Sequence, residues 1–79
     1  VGNTRQTSKI ILYDNINLIQ PEHREEMIAD LEKRTGIREI QNVEIGHIDF
    51  LRDVAYVKVY YQLQDHEPCT INDQIKPKQ

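Results

Sequence analysis

The architecture of this chain follows from residues 45–61, which read IGHIDFLRDVAYVKVYY. From Ala55 onward, apolar residues occupy every second position, and this period of two predicts a strand over residues 55–63 with one face in the core. The opposite face carries Tyr56 and Tyr60, so it is neither fully polar nor fully apolar. With the apolar residues that precede it, this strand predicts a β-hairpin.

The first arm of the hairpin contains a change of phase. Val43 and Ile45 fall on one parity, whereas Ile48 and Phe50 fall on the other. One extra residue in a strand turns every later side chain to the opposite face, and glycine is common where this happens. The sequence therefore predicts a β-bulge at residues 46–47.

A strand and a helix are predicted before the hairpin. Residues 9–14 form a short apolar run rich in strand formers. Pro21 suits the first position of a helix, and Gly36 suits a left-handed stop. Glutamates near the start and basic residues near the end complement the helix dipole. The second strand is expected to begin within residues 37–42 and to continue to Phe50.

The order strand, helix, strand, strand predicts the topology. A right-handed crossover places the first two strands in parallel, and the returning third strand fits between them. The predicted fold class is α+β, one half of a ferredoxin-like fold: β-α-β-β, with a three-stranded antiparallel sheet in order 1-3-2 and one helix on one face. The predicted domain covers residues 9–63, between tails at 1–8 and 64–79. A short edge strand at 70–75 is an alternative within the second tail.

Composition restricts the classes of partner. The chain has 79 residues and a net charge of −3, so we expect one domain and no nucleic-acid partner. Its apolar runs are far shorter than the roughly 20 residues of a membrane span. The single cysteine, Cys69, excludes an internal disulfide. The start Val-Gly-Asn-Thr is typical of a piece cut from a longer protein.

Chemistry-bearing residues do not form a recognisable constellation in the sequence. His47 and Asp49 share a strand, but two ligands do not make a metal site. His66, Glu67 and Cys69 lie close together in a polar segment without a visible positioned base. We therefore expect no catalytic residue, cofactor or metal, and we predict that the protein is not an enzyme.

The predicted sheet is unfinished at the outer edge of its first strand and on the face away from the helix. Such surfaces invite pairing or covering, so we expect association with a second copy or with another protein. Phe50 and Leu51 are either folded back beneath the helix or left for a partner, and burial preferences favour the first. The predicted interaction residues are Asp49, Arg52, Asp53, Tyr56 and Tyr60.

Five stretches carry a family resemblance: YDNI at 13–16, PE at 21–22, LEKRTGI at 31–37, VEIGHIDFLRD at 43–53, which is the most specific, and YY at 60–61. They resemble the soluble C-terminal domain of an uncharacterised bacterial family of multi-pass membrane proteins. Members are often encoded beside polyphosphate-polymerase-like proteins. The resemblance implies a domain at the cytoplasmic face of the inner membrane, joined to the membrane only through a preceding transmembrane region. It implies no activity and no catalytic residues.

The leading hypothesis is thus a non-enzymatic interaction or regulatory module. The alternative is an ACT-like domain that senses a small molecule or an ion, which a specific thermal shift with nucleotides, amino acids, Mg²⁺ or polyphosphate would favour. A hydrolase or metal enzyme ranks last, because the sequence shows no constellation for it.

Overall fold

The computed structural model describes residues 4–64. Three strands form one sheet in the order β1-β3-β2, and both pairings are antiparallel. The predicted β-α-β-β fold with one helix is confirmed. The elements are β1 (Thr4–Tyr13), two 3₁₀ turns (Ile16–Leu18 and Pro21–His23), α1 (Arg24–Thr35), β2 (Asn42–Asp49) and β3 (Val54–Gln64).

The predicted bulge in β2 is confirmed. Ile45 lies opposite Val57, and the next pair joins Ile48 to Ala55. Two residues of β2 therefore face Tyr56 alone, which is the definition of a bulge. Because of this shift, the side chains after the bulge lie on the opposite face of the sheet from the one that unbroken alternation would give them.

The core lies between α1 and one face of the sheet. Met27 and Leu31, one helical turn apart, are the buried residues of α1. Residues at alternate positions of the strands meet them, as the period-two pattern predicts. Leu18 and Ile19 of the first connection also pack against this cluster. The buried strand residues are Tyr13, Val43, Ala55, Val57, Val59 and Tyr61.

Both ends of the helical region follow local signals. Pro21 begins the 3₁₀ turn that leads directly into α1, so the proline lies three residues earlier than the α-helix itself. Gly36 ends α1 with φ +80°, and its N–H donates to the carbonyl of Glu32 at 2.9 Å. This left-handed stop is the one predicted from the sequence.

The start of β1 differs by several residues from the sequence-based expectation, and the other strand ends lie close to it. β1 begins at Thr4, so residues 4–8, which the composition predicts as a tail, pair with the end of β3. A backbone ladder accepts polar residues, and the 11-residue β3 supplies the partners. β2 begins at Asn42, the last residue of the range 37–42 in which its start is expected, and ends at Asp49, one residue before Phe50. Before β2, Glu39 has φ +59°, and the Ile40 N–H donates to the Glu32 carboxylate at 2.9 Å, so this segment packs on the helix end.

Within residues 4–64, no helix combines the length and the apolar character needed to cross a bilayer. The edge strand considered at 70–75 and the cluster His66, Glu67 and Cys69 lie outside the described residues.

Candidate functional site

The sheet face turned away from α1, here called the open face, is assigned by strand alternation and register. Core residues of β3 have odd numbers, so its even-numbered residues face the other way. The pairings carry this face onto the neighbouring strands. The open face comprises Ser8, Ile10 and Leu12 of β1, Tyr56, Lys58 and Tyr60 of β3, and Asn42 and Glu44 of β2.

One end of the open face is apolar and accessible. Leu12 lies directly opposite Tyr56, and Ile10 lies opposite the next open-face residue of β3. The side chains of Leu12, Tyr56 and Ile10 are 56%, 46% and 39% exposed. Directly opposite residues have Cβ atoms about 5 Å apart, so these side chains form one patch.

The other end of the open face is polar and makes its own contacts. The Tyr60 hydroxyl donates to Oε1 of Glu44 at 2.9 Å. Lys58 Nζ lies 5.4 Å from the centroid of the Tyr60 ring, within the range of a cation–π contact. Glu44 and Lys58 are also cross-strand partners. Tyr60 is therefore engaged in contacts with other side chains of the same molecule.

The hairpin tip, residues 50–53, exposes two large apolar side chains. Phe50 is 74% exposed and Leu51 is 95% exposed. The expectation that they pack beneath the helix is wrong. β1 ends at Tyr13, opposite Ala55, so the tip projects beyond the last β1 pair and has no β1 residue beside it.

The Asp49 side chain fixes the turn that presents these residues. Its Oδ1 accepts hydrogen bonds from the N–H groups of Leu51 at 3.0 Å and Arg52 at 3.2 Å. Its Oδ2 accepts one from Arg52 Nη1 at 2.8 Å. The bond from the Arg52 side chain is the main reason that the pKa of Asp49 lies below its usual range. The tip is therefore preorganised by a carboxylate that stays ionised at neutral pH.

The structure places four of the five predicted interaction residues at or near the hairpin tip and one, Tyr60, further away. Asp49, Arg52 and Asp53 come together at the tip, where Asp53 adopts φ +56° immediately before β3. Tyr56 lies on the apolar end of the open face, close to the tip. Tyr60 lies four residues further along β3, about 13 Å away, at the polar end.

Ile10 and Leu12 belong to the apolar patch but were not among the predicted interaction residues. The sequence does indicate them, because residues 9–14 carry apolar side chains at both odd and even positions and therefore on both faces of the strand. A strand of that kind has two apolar faces, and one helix can cover just one of them.

A shallow depression of about 220 Å³ opens beside the apolar patch. Ile10, Gly46 and Tyr56 line it, and Glu44 and Lys58 contribute charge. Gly46 adds no side chain to the depression, and a Cβ atom there would lie in ordinary contact with the Tyr56 carbonyl oxygen, at 3.4 Å. Small-molecule pockets usually measure about 300–1,000 Å³, so the depression suits one protein side chain better than a nucleotide.

Metal ligation is not favoured by the described residues. The Asp49 carboxylate is committed to the turn. Among residues 4–64, no three side chains of His, Cys, Asp or Glu converge on one point.

Comparisons with known proteins give a family. Neither the curated proteins nor the solved structures yield a significant match to this chain. A family described as "Domain of unknown function (DUF4956)" matches residues 2–61, which include the complete β-α-β region and most of β3. The chain belongs to this family, DUF4956.

Proposed function

We propose that this domain is a non-enzymatic protein-interaction module that acts through the hairpin tip and the apolar end of the open face. The observation that carries the proposal is the clustering of exposed apolar side chains at one end of the sheet. Ile10, Leu12, Phe50, Leu51 and Tyr56 all lie there. Contiguous exposed apolar surface in a small domain is typical of contact sites.

The geometry of the tip supports the same function. The backbone of the tip loses little conformational freedom on binding, because Asp49 already holds the N–H groups of Leu51 and Arg52. A loop of that kind is suited to insertion into a complementary apolar site on another protein.

Photo-crosslinking in cells that make the parent protein tests the proposal. A benzophenone amino acid is placed at Leu51 and, as the control, at Glu25, which is exposed on α1. We expect a discrete crosslinked product from position 51 that weakens when L12S and Y56S are added, and no such product from position 25. Equal products from both positions, or a product insensitive to L12S and Y56S, would contradict the proposal.

We further propose that the domain is the cytoplasmic C-terminal part of a bacterial multi-pass membrane protein. The resemblance carried by residues 43–53 supports this assignment. The reading frame upstream of Val1 tests it. We expect several apolar segments of about 20 residues there, each long enough to cross a bilayer. A frame that encodes none of them refutes the assignment.

A further inference from the structure

We propose that the partner is a second copy of this chain, and that the hairpin tip of each copy inserts into the depression of the other. This inference rests on the proposed function and names the partner of the same surface. It is carried by three features of the described residues: the size of the depression, the charges at the depression and at the tip, and the symmetry and area of the surfaces that two copies offer.

Size is the first feature. The depression of about 220 Å³ is lined by Ile10 and Tyr56 and suits one large apolar side chain. Phe50, 74% exposed, and Leu51, 95% exposed, are such side chains. The tip cannot fold back into its own depression, because β3 runs without interruption from Val54 past Lys58. A second molecule is therefore needed to bring the two together.

Charge is the second feature. Arg52 follows the apolar residues of the tip, its side chain is 78% exposed, and one of its five N–H donors binds Asp49. Glu44 lies at the depression and accepts the Tyr60 hydroxyl on one of its two carboxylate oxygens. Lys58, the second charged residue at the depression, already lies over the Tyr60 ring. When a tip enters a depression, the guanidinium of one copy meets the Glu44 carboxylate of the other, and this pair fixes the register of the contact.

Symmetry and area are the third feature. Each copy offers one tip and one depression, so a two-fold axis lets both contacts form at once and closes the assembly. The open face alone is small: ten residues of strand span about 33 Å and three strands about 14 Å, a projected area of about 460 Å². Stable interfaces bury about 800 Å² on each partner, so the tips have to add contact to the faces.

A charge-exchange experiment on the full 79-residue chain tests the inference. The dissociation constant of the wild-type dimer is measured by sedimentation equilibrium and compared with that of R52E and of E44R. Each variant alone places like charges at both contacts, and we expect its dissociation constant to rise about tenfold or more. K33E, a charge reversal on the exposed side of α1, is the control and is expected to dimerise like the wild type.

Mixing the two variants gives the decisive measurement. In the heterodimer, each tip meets a depression of opposite charge, so an equimolar mixture of R52E and E44R should recover dimerisation close to the wild-type value. The double variant R52E/E44R should recover it as well. Circular dichroism spectra of the single variants show whether each is folded. A wild-type dimer whose variants do not recover on mixing overturns the tip-in-depression contact.

The crosslinking experiment separates this inference from the function on which it rests. If the wild-type chain stays monomeric at millimolar concentration, self-association is refuted. A product from position 51 that does not have twice the mass of the parent protein then leaves the proposed function standing with a different partner. The absence of any product refutes both.

Discussion

The hydroxyl of Tyr13, at the end of β1, donates a 2.7 Å hydrogen bond to Oδ2 of Asp30 on α1. Arg34 lies over the same ring at 5.9 Å and joins Asp30 to Asp14, the residue that follows β1. Burial, followed by the bond to Asp30, raises the pKa of Tyr13 above its ordinary value. This network attaches the helix to the same end of β1 that carries the exposed Leu12.

Removal of the Tyr13 hydroxyl should destabilise the domain. Y13F leaves the partly buried Asp30 without one of its donors, and hydrogen bonds to charged groups contribute about 1.5–3 kcal/mol. We expect the urea midpoint to fall with no change in slope. Y56F removes a hydroxyl from an exposed ring and should change the free energy of unfolding by less than about 0.5 kcal/mol. Equal losses in the two variants would contradict the role assigned to the network.

The pair formed by Arg34 and Asp14 predicts a response to acid. The hydrogen bond from Arg34 is the main reason that the pKa of Asp14 lies below its usual range. A depressed pKa in the folded state contributes stability above the unfolded value of about 3.9, and this contribution is lost as pH falls through the folded value. In R34Q, the pKa of Asp14 should rise toward its usual range in a carbon-detected NMR titration.

The same variant should show the effect in stability. The difference in urea midpoint between wild type and R34Q should be largest near neutral pH and should shrink as pH falls below about 4. K33Q, which removes a neighbouring positive charge, is the control and should leave the pKa of Asp14 close to its wild-type value. A pKa of Asp14 that is unchanged in R34Q would be inconsistent with the bond.

Two glycines offer a matched comparison of backbone effects. Gly36 has φ +80° and nothing within 4 Å of an added Cβ, so G36A should cost about 1 kcal/mol through backbone strain alone. Gly46 lacks a positive φ, and an added Cβ would make ordinary contacts with Tyr56. G46A should therefore change the free energy of unfolding by less than about 0.5 kcal/mol. Chemical denaturation measures both free energies of unfolding. A larger loss of stability in G46A than in G36A would contradict the view that the positive φ of Gly36 is the more demanding requirement.

The turn at the hairpin tip can be tested by amide hydrogen exchange. D49A removes the acceptor of the Leu51 and Arg52 N–H groups, so both amides should exchange faster than in the wild type. D49N keeps a side-chain oxygen and loses the charge, so we expect rates between those of wild type and D49A. Amides in the middle of β3 serve as internal controls. Identical exchange at Leu51 in the two variants would mean that the side-chain oxygen does not hold the turn.

Much of this molecule follows from short-range patterns in the sequence. Alternation over residues 55–63 predicts the central strand, the change of phase around Gly46 predicts the bulge, and Gly36 predicts the helix stop. These features are predictable because each depends on the conformation of a few adjacent residues. The order of the strands also follows, because the crossover leaves β1 and β2 parallel and the returning strand β3 fits antiparallel between them.

The tertiary structure decided the features that depend on residues far apart in the sequence. Residues 4–8 carry no strand pattern and become strand because β3 extends far enough to pair with them. Phe50 and Leu51 are apolar, yet they are exposed because β1 ends before the tip and Asp49 holds the turn outward. The bond between Tyr13 and Asp30 spans 17 residues and could not be predicted. Local preference sets the elements of this chain, whereas the length of each strand relative to its neighbour sets which apolar side chains are buried and which are exposed.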